Sequence, residues 1–226
     1  MMSLFLRTIP RYARAFLASV ALALCAAPFG AMAQTATPET QKEPPAPAER
    51  PSSAKPLEKM PETADEKAKL LNDLYAHLAT ADDEQNAKPI ADTIERLWLQ
   101  SGSETVNLLM ERSAAAINAK NTDLALKLLD YVTELAPDYA EGFNRRAYVN
   151  FMRNSVEAAV GDLRRTLALE PNHFKALDGL GQIWRELGNK RGALRVEKQL
   201  LEIHPNWPGA KQAVEELTRE VEGQGI

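Results

Sequence analysis

The spacing of apolar residues predicts helices along most of the chain. From residue 63 to residue 222, large apolar side chains recur every three or four positions, which places them on one face of an α-helix. Short polar residues precede new runs at Asp83, Asn121, Ser155 and Asn189, where each can cap a helix N-terminus. We therefore expect an all-α fold without strands.

Equivalent residues return at a fixed interval of 34 positions. Three columns share this interval: the prolines Pro137, Pro171 and Pro205, the alanines Ala125, Ala159 and Ala193, and the small residues Ser113, Ala147 and Gly181. A fourth column is bulky and apolar, and contains Leu109, Phe143 and Leu177. Because small residues permit close approach of helix backbones and large ones fill wider gaps, the interval indicates a repeated pair of antiparallel helices.

These columns resemble those of the tetratricopeptide repeat family. Its unit of 34 residues has a bulky apolar residue, a small residue four positions later, an alanine in the second helix and a closing proline. Three units of the chain match this pattern: 106–139, 140–173 and 174–207. A further unit at 72–105 is degenerate, because Ser103 replaces its proline and Asp92 and Glu95 replace apolar residues of its second helix.

The resemblance implies a right-handed α-solenoid of about four helix hairpins within residues 63–226. Residues 210–222 have one apolar face and an otherwise charged surface, which predicts a final helix that caps the stack.

The resemblance also implies a binding groove, because in this family the first helix of each hairpin lines a concave face. The side chains it places there are Asn107, Met110 and Ile117, then Asn144, Arg145, Tyr148 and Phe151, then Lys175, Asp178, Gln182 and Arg185. Such a groove would change from apolar to aromatic to charged along its length. That mixture suits a peptide with an acidic group, although a partner on the convex face or an edge is an open alternative.

Some members of the family hold a C-terminal carboxylate with a lysine, an asparagine and an arginine spread over three units. This chain offers Asn144, Arg145 and Lys175, but it has Met110 and Ala114 where the first of the three units would supply polar groups. The resemblance therefore does not extend to the full carboxylate clamp.

The N-terminus has the layout of a secretory signal. Its parts are a basic stretch, an apolar run and small residues at the two positions that a signal peptidase recognises: Arg7, Arg11 and Arg14, residues 15–27, and Ala31 with Ala33. We expect a signal peptide over residues 1–33, cleavage between Ala33 and Gln34, and a periplasmic location. The alternative is an uncleaved segment that anchors the chain in the inner membrane, and only then would the protein contact a membrane.

Residues 34–62 form a proline-rich segment. Leu57 and Met60 are its only sizeable apolar side chains. This composition cannot form a core, so it predicts a disordered linker, with a proline-rich ligand for a groove-binding partner as the alternative.

The charge of the chain argues against a nucleic-acid partner. Residues 1–33 hold three of the 27 basic residues and none of the 31 acidic ones, so the remainder has a formal charge of −7. A protein that binds a phosphate backbone needs a net or clustered positive surface.

We find no motif for catalysis or metal binding in the sequence. The histidines His77, His173 and His204 have no metal-ligand partners at helical spacing, and the chain after the signal segment has no cysteine. His173 shares its repeat position with Tyr139 and Trp207, which predicts packing between units. We expect neither a cofactor nor an enzymatic activity.

These observations favour a non-enzymatic scaffold or adaptor that binds a protein or peptide in the periplasm. Two alternatives stay open. One is an envelope-assembly or cell-wall accessory factor tethered to the inner membrane, and the other is a regulatory subunit of a separate enzyme.

Overall fold

The computed structural model describes Pro61 and residues 63–223. Within these residues the chain forms nine α-helices and no strand, so the predicted all-α fold is confirmed. The helices are α1 (Ala64–Ala79), α2 (Glu84–Trp98), α3 (Glu104–Asn118), α4 (Thr122–Leu135), α5 (Ala140–Met152), α6 (Val156–Leu169), α7 (Phe174–Glu186), α8 (Lys190–Ile203) and α9 (Ala210–Glu222). The predicted signal segment 1–33, and the linker 34–62 apart from Pro61, lie outside the described residues.

Polar side chains cap several of the helix starts. Asp83, Asn121 and Asn189 each accept a hydrogen bond from the backbone N–H three residues later, at 2.8, 3.1 and 2.9 Å. Ser155 also precedes a helix, but its side chain makes no such bond. These caps satisfy amides that the first helical turn leaves free, so they fix where the second helix of each hairpin begins.

The repeat columns form close contacts within hairpins. Helices α3 and α4, α5 and α6, and α7 and α8 pack pairwise, and α9 covers α8. Ala125, Ala159 and Ala193 are completely buried. At Gly181 an added Cβ would lie 2.7 Å from a carboxylate oxygen of Glu197 and 3.3 Å from the Val196 side chain, so a larger residue there would require Glu197 to shift.

The hydrophobic interior falls into two clusters. The smaller one belongs to α3 and α4, together with Tyr139 and Val149. The larger one joins α1 and α2 to residues of α5 through α9. The first hairpin therefore shares its core with the C-terminal units.

This placement of α1 and α2 differs from the in-line stacking that the unit 72–105 predicts. Helix α1 contacts α8, and the indole of Trp98 stacks on His173 with ring centroids 3.8 Å apart. The Asn206 side chain donates a hydrogen bond to the Ala81 carbonyl oxygen at 2.7 Å. The Trp98 ring contacts the rings of His173 and Phe174, and these aromatic contacts explain why the first hairpin packs on the C-terminal units.

Polar contacts complete the interior of the first hairpin. The Trp98 indole N–H donates to the Tyr75 hydroxyl at 3.0 Å, so the buried nitrogen keeps a partner. Lys67 donates to the Gln100 carbonyl oxygen at 2.5 Å, which ties α1 to the connection that follows α2. Burial lowers the pKa of Lys67, and the nearby Glu170 carboxylate partly offsets this effect.

Candidate binding groove

A groove of about 470 Å³ lies between α5 and α7. Seven of the predicted site residues line it together: Asn144, Arg145, Tyr148, Phe151, Lys175, Asp178 and Gln182. These residues come from α5 and α7, the first helices of two consecutive units, as the repeat pattern implies. The groove is therefore built by the elements that the sequence indicates.

Helix α2 forms a wall at one side of this groove. A second cavity of about 450 Å³ separates α2 from α7 and shares Asp178, Gln182 and Trp207 with the first. The α2 side chains that line it are mostly charged: Glu84, Lys88, Asp92 and Glu95. The two cavities thus form one continuous surface whose α2 side is acidic.

Aromatic side chains supply exposed apolar surface in the groove. The Tyr148 side chain is 53% exposed, although it is large and largely apolar. Phe151 lies one turn further along α5 and is half-buried against the larger core. Exposed aromatic surface beside a firm apolar base is well suited to packing against a ligand side chain.

The opposite wall carries a partly buried acid. Asp178 accepts hydrogen bonds from the Trp207 indole N–H at 3.1 Å and from the Gln182 amide at 2.8 Å. Burial raises the pKa of the Asp178 carboxyl, and these bonds together with the charge of Arg185 limit the rise. Asp178 thus holds Trp207 and Gln182 in place at the junction of the two cavities.

A buried carboxylate lies at the base of the groove. Glu141 accepts hydrogen bonds from Asn144 at 2.8 Å, Arg145 at 2.6 Å and His173 Nε2 at 3.1 Å. The backbone N–H of Ala176 donates to His173 Nδ1, so Nε2 carries the proton that reaches Glu141. Burial alone would raise the pKa of Glu141, but His173 and Arg145 lower it to about 2.

The two basic side chains in the groove are already paired. Lys175 lies 2.5 Å from a carboxylate oxygen of Glu95 on α2, and Arg145 is bound to Glu141. An acidic ligand group would have to compete with these carboxylates. The docked first hairpin thus changes the predicted basic end of the groove into a neutral or acidic surface.

Four predicted site residues do not line the groove. Met110 is buried in the smaller core and Ile117 packs against that core, because the unit 106–139 uses this stripe for its own packing. Asn107 accepts hydrogen bonds from the backbone N–H and the hydroxyl of Ser101, which hold the loop before α3. Arg185 lies near the end of α7, 3.6 Å from Glu197.

Two parts of the site, Trp207 and the acidic face of α2, are not predicted by the sequence pattern. Trp207 had a signal, since it shares a repeat position with the buried His173, but that signal predicts packing rather than a groove wall. Asp92 and Glu95 were visible only as departures from the repeat pattern. Those departures fit a helix that faces a cavity instead of a neighbouring unit.

The described residues give no sign of a metal centre or a membrane span. Across residues 63–223 we find no group of three or more His, Cys, Asp or Glu side chains arranged to hold a metal ion. None of the helices in this part of the chain has the length and apolar character needed to cross a membrane.

Comparison with known proteins relates the chain to one repeat family. No family model matches it. It is 37% identical over 153 residues to a TPR repeat-containing protein of Rhizobium etli, an alignment that covers 68% of this chain and 75% of that protein.

Two solved structures are similar in fold. The first TPR domain of Spaghetti (RPAP3), bound to the HSP90 peptide SRMEEVD, has a TM-score of 0.50 and 19% identity, and the match covers 53% of this chain and 95% of that domain. The Sgt2 TPR domain from Aspergillus fumigatus has a TM-score of 0.50 and 20% identity, with coverage of 54% and 83%. The relative of Rhizobium etli, the repeat columns and the paired helices all lead to the same assignment. The chain belongs to the tetratricopeptide repeat family.

Proposed function

We propose that this chain is a non-enzymatic interaction scaffold whose groove between α5, α7 and α2 binds an extended peptide segment of a partner protein. Proteins of the tetratricopeptide repeat family generally act as scaffolds for protein interactions. The observation that carries the proposal is the exposed Tyr148 beside Phe151 in a groove of about 470 Å³. Apolar area of this kind on a concave surface is typical of peptide recognition.

The charges favour a ligand with a basic residue. Lys175 and Arg145 are neutralised by Glu95 and Glu141, and Lys88 pairs with Asp92 at 3.0 Å. The negative charge that remains along the α2 wall comes from Glu84. A lysine or arginine of the ligand would therefore lie towards α2, with an apolar neighbour against Tyr148. The Spaghetti domain was solved with SRMEEVD, a peptide with three acidic residues, so the two grooves would select peptides of different charge.

The location that we propose is the periplasm, after cleavage between Ala33 and Gln34. The support is the order of basic stretch, apolar run and small residues in the sequence. N-terminal sequencing of the protein recovered from the cell envelope tests this proposal. A first residue of Gln34 supports release, whereas a chain that retains residues 1–33 supports the inner-membrane tether.

An unbiased peptide library presented to the purified chain tests the binding proposal. We expect the enriched sequences to combine an apolar or aromatic residue with a nearby lysine or arginine. Tyr148→Ala should weaken the best peptide by about 1–3 kcal/mol, because central aromatic residues supply much of the contact energy at such sites.

Leu187→Ala is the control, because Leu187 is also a large apolar side chain and is 57% exposed, but it lies at the C-terminal end of α7 outside the groove. It should bind the same peptide with wild-type affinity. Equal loss in both variants, or loss in Leu187→Ala alone, would move the binding surface away from the groove. Enrichment of acidic sequences would contradict the proposed ligand charge while leaving peptide binding intact.

A further inference from the structure

Among residues 63–223, no preceding hairpin packs on the N-terminal end of the α3 and α4 hairpin as one does for later hairpins. Leu108 occupies the repeat position of Gly142 and Ala176, both of which are buried. At Gly142 an added Cβ would lie 2.7 Å from the Val132 side chain of the preceding unit. Leu108 is 48% exposed, because α1 and α2 pack on the C-terminal units instead.

The same open end includes one face of α4. Arg165, which is equivalent to Tyr131, donates a hydrogen bond to the Pro137 carbonyl oxygen of the preceding unit at 2.8 Å. The position of Tyr131 therefore faces a preceding unit when one is present. On α4 that position is 58% exposed.

Tyr131 belongs to a stripe of large apolar side chains, which we call the α4 seam. Its members are Leu124, Leu128, Tyr131 and Leu135. Their spacing of four, three and four residues is that of the a and d positions in a coiled coil. Leu124 is 45% exposed and Leu135 is 59% exposed, so about three turns of helix carry an uncovered apolar seam.

The opposite end of the stack is closed. Helix α9 buries Ala213 and Leu217 against α8 and turns exposed charged residues such as Lys211, Glu215 and Glu216 outwards. Head-to-tail stacking of two copies would therefore place an apolar end against a charged one. Two copies of the open end match each other, which favours a closed pair with two-fold symmetry.

Charges beside the α4 seam are arranged for this pairing. Lys127 and Glu134 occupy the flanking g positions, and both are exposed without an ion-pair partner among residues 63–223. In an antiparallel pair of helices, g positions face each other. Two antiparallel copies of α4 would bring Lys127 of each copy opposite Glu134 of the other, forming two ion pairs across the symmetry axis.

We propose that a second copy of this chain docks on the α4 seam, with the two α4 helices antiparallel. Leu124 of one copy then packs near Leu135 of the other, and Leu128 near Tyr131. The two chains bury the end that would otherwise need a further repeat unit.

Sedimentation equilibrium of the full chain, at protein concentrations up to about 100 µM, tests the proposal. We expect a mass that rises to twice that of the monomer and no further. Lys127→Glu and Glu134→Lys should each weaken dimerisation by at least about tenfold, because each places like charges opposite one another. Every variant keeps residues 1–62, so any association through that segment is common to all of them.

Mixing the two single variants is the decisive measurement. Lys127→Glu and Glu134→Lys are complementary across an antiparallel seam, so the mixture should form heterodimers, and the double variant should recover the homodimer. Lys198→Glu, a charge change at an exposed position of α8, should dimerise like the wild type. Circular dichroism melts confirm that each variant is folded.

Four results would overturn the proposal. The wild type could remain a monomer at the highest concentration, or its mass could continue to grow past the dimer, as head-to-tail stacking would produce. A dimer that neither single variant weakens, or one that mixing fails to restore, would mean that the copies meet through another face.

Discussion

Replacing Trp98 should release the first hairpin from the C-terminal units. The Trp98 indole is buried, stacks on His173 at 3.8 Å and lies 4.6 Å from the ring of Phe174. Truncating a buried tryptophan to alanine costs about 3–5 kcal/mol. The lost hydrogen bond to Tyr75 adds about 1 kcal/mol, so we expect Trp98→Ala to lose about 4–6 kcal/mol in free energy of unfolding.

Two measurements separate undocking of the hairpin from general destabilisation. Urea unfolding followed by circular dichroism gives the total loss, and hydrogen exchange reports which amides have become exposed. In Trp98→Ala the amides of α1 and α2 should exchange much faster, while those of α5 and α6 change little. Local opening of this kind is expected when one element loses its docking surface.

Two further variants divide the effect into its parts. Trp98→Phe keeps most of the stacked area but loses the bond to Tyr75, so it should cost only about 1–2 kcal/mol. Trp184→Ala removes a half-buried indole that packs beneath Arg164, and it should leave exchange in α1 and α2 unchanged. If Trp98→Ala lost less than about 1 kcal/mol with normal exchange in α1 and α2, the stack on His173 would not hold the hairpin.

Three other predictions concern the core, the loss of stability at acid pH and the rate of ligand association. Ala159 is completely buried, so Ala159→Leu should cost about 1–3 kcal/mol in a urea titration, and a wild-type midpoint would contradict the predicted close contact. The pKa of Glu141 is lowered from 4.5 to about 2 in the folded chain. Its contribution to stability is therefore complete above about pH 4.5 and is lost as the pH falls towards 2. Glu141→Gln should remove this loss, so that the urea midpoint changes less over that pH range. Glu95→Gln should slow association with a basic peptide and reduce its dependence on salt in stopped-flow experiments, whereas an unchanged rate would exclude electrostatic attraction by α2.

The repeat interval predicted the local packing of the chain because that packing repeats. Ala125, Ala159 and Ala193 are all completely buried, and the stripe from Asn144 to Phe151 lines a groove as the family pattern implies. Each of these features depends on contacts within a hairpin or between neighbouring hairpins. A periodic sequence records such contacts directly.

The docking of the first hairpin could not be predicted in the same way. Tyr75 and Ala91 match the repeat pattern because they pack inside their own hairpin, and this match does not specify which unit that hairpin contacts. The contacts of Trp98 with His173 and of Asn206 with Ala81 join residues far apart in the sequence. The prediction that Met110 lines the groove was wrong for a related reason. The unit 106–139 buries this stripe in its own core.

The hydrogen bond between Asn206 and Ala81 spans 125 positions, which sets the order in which the molecule can be completed during synthesis. A hairpin in a linear repeat array finds its neighbour as soon as the next unit emerges. Helices α1 and α2 instead need α7 and α8, which follow on the order of ten seconds later at normal rates of translation. Through that interval the face of Trp98 that stacks on His173 has no native partner, so the first hairpin to be made is the last to be finished.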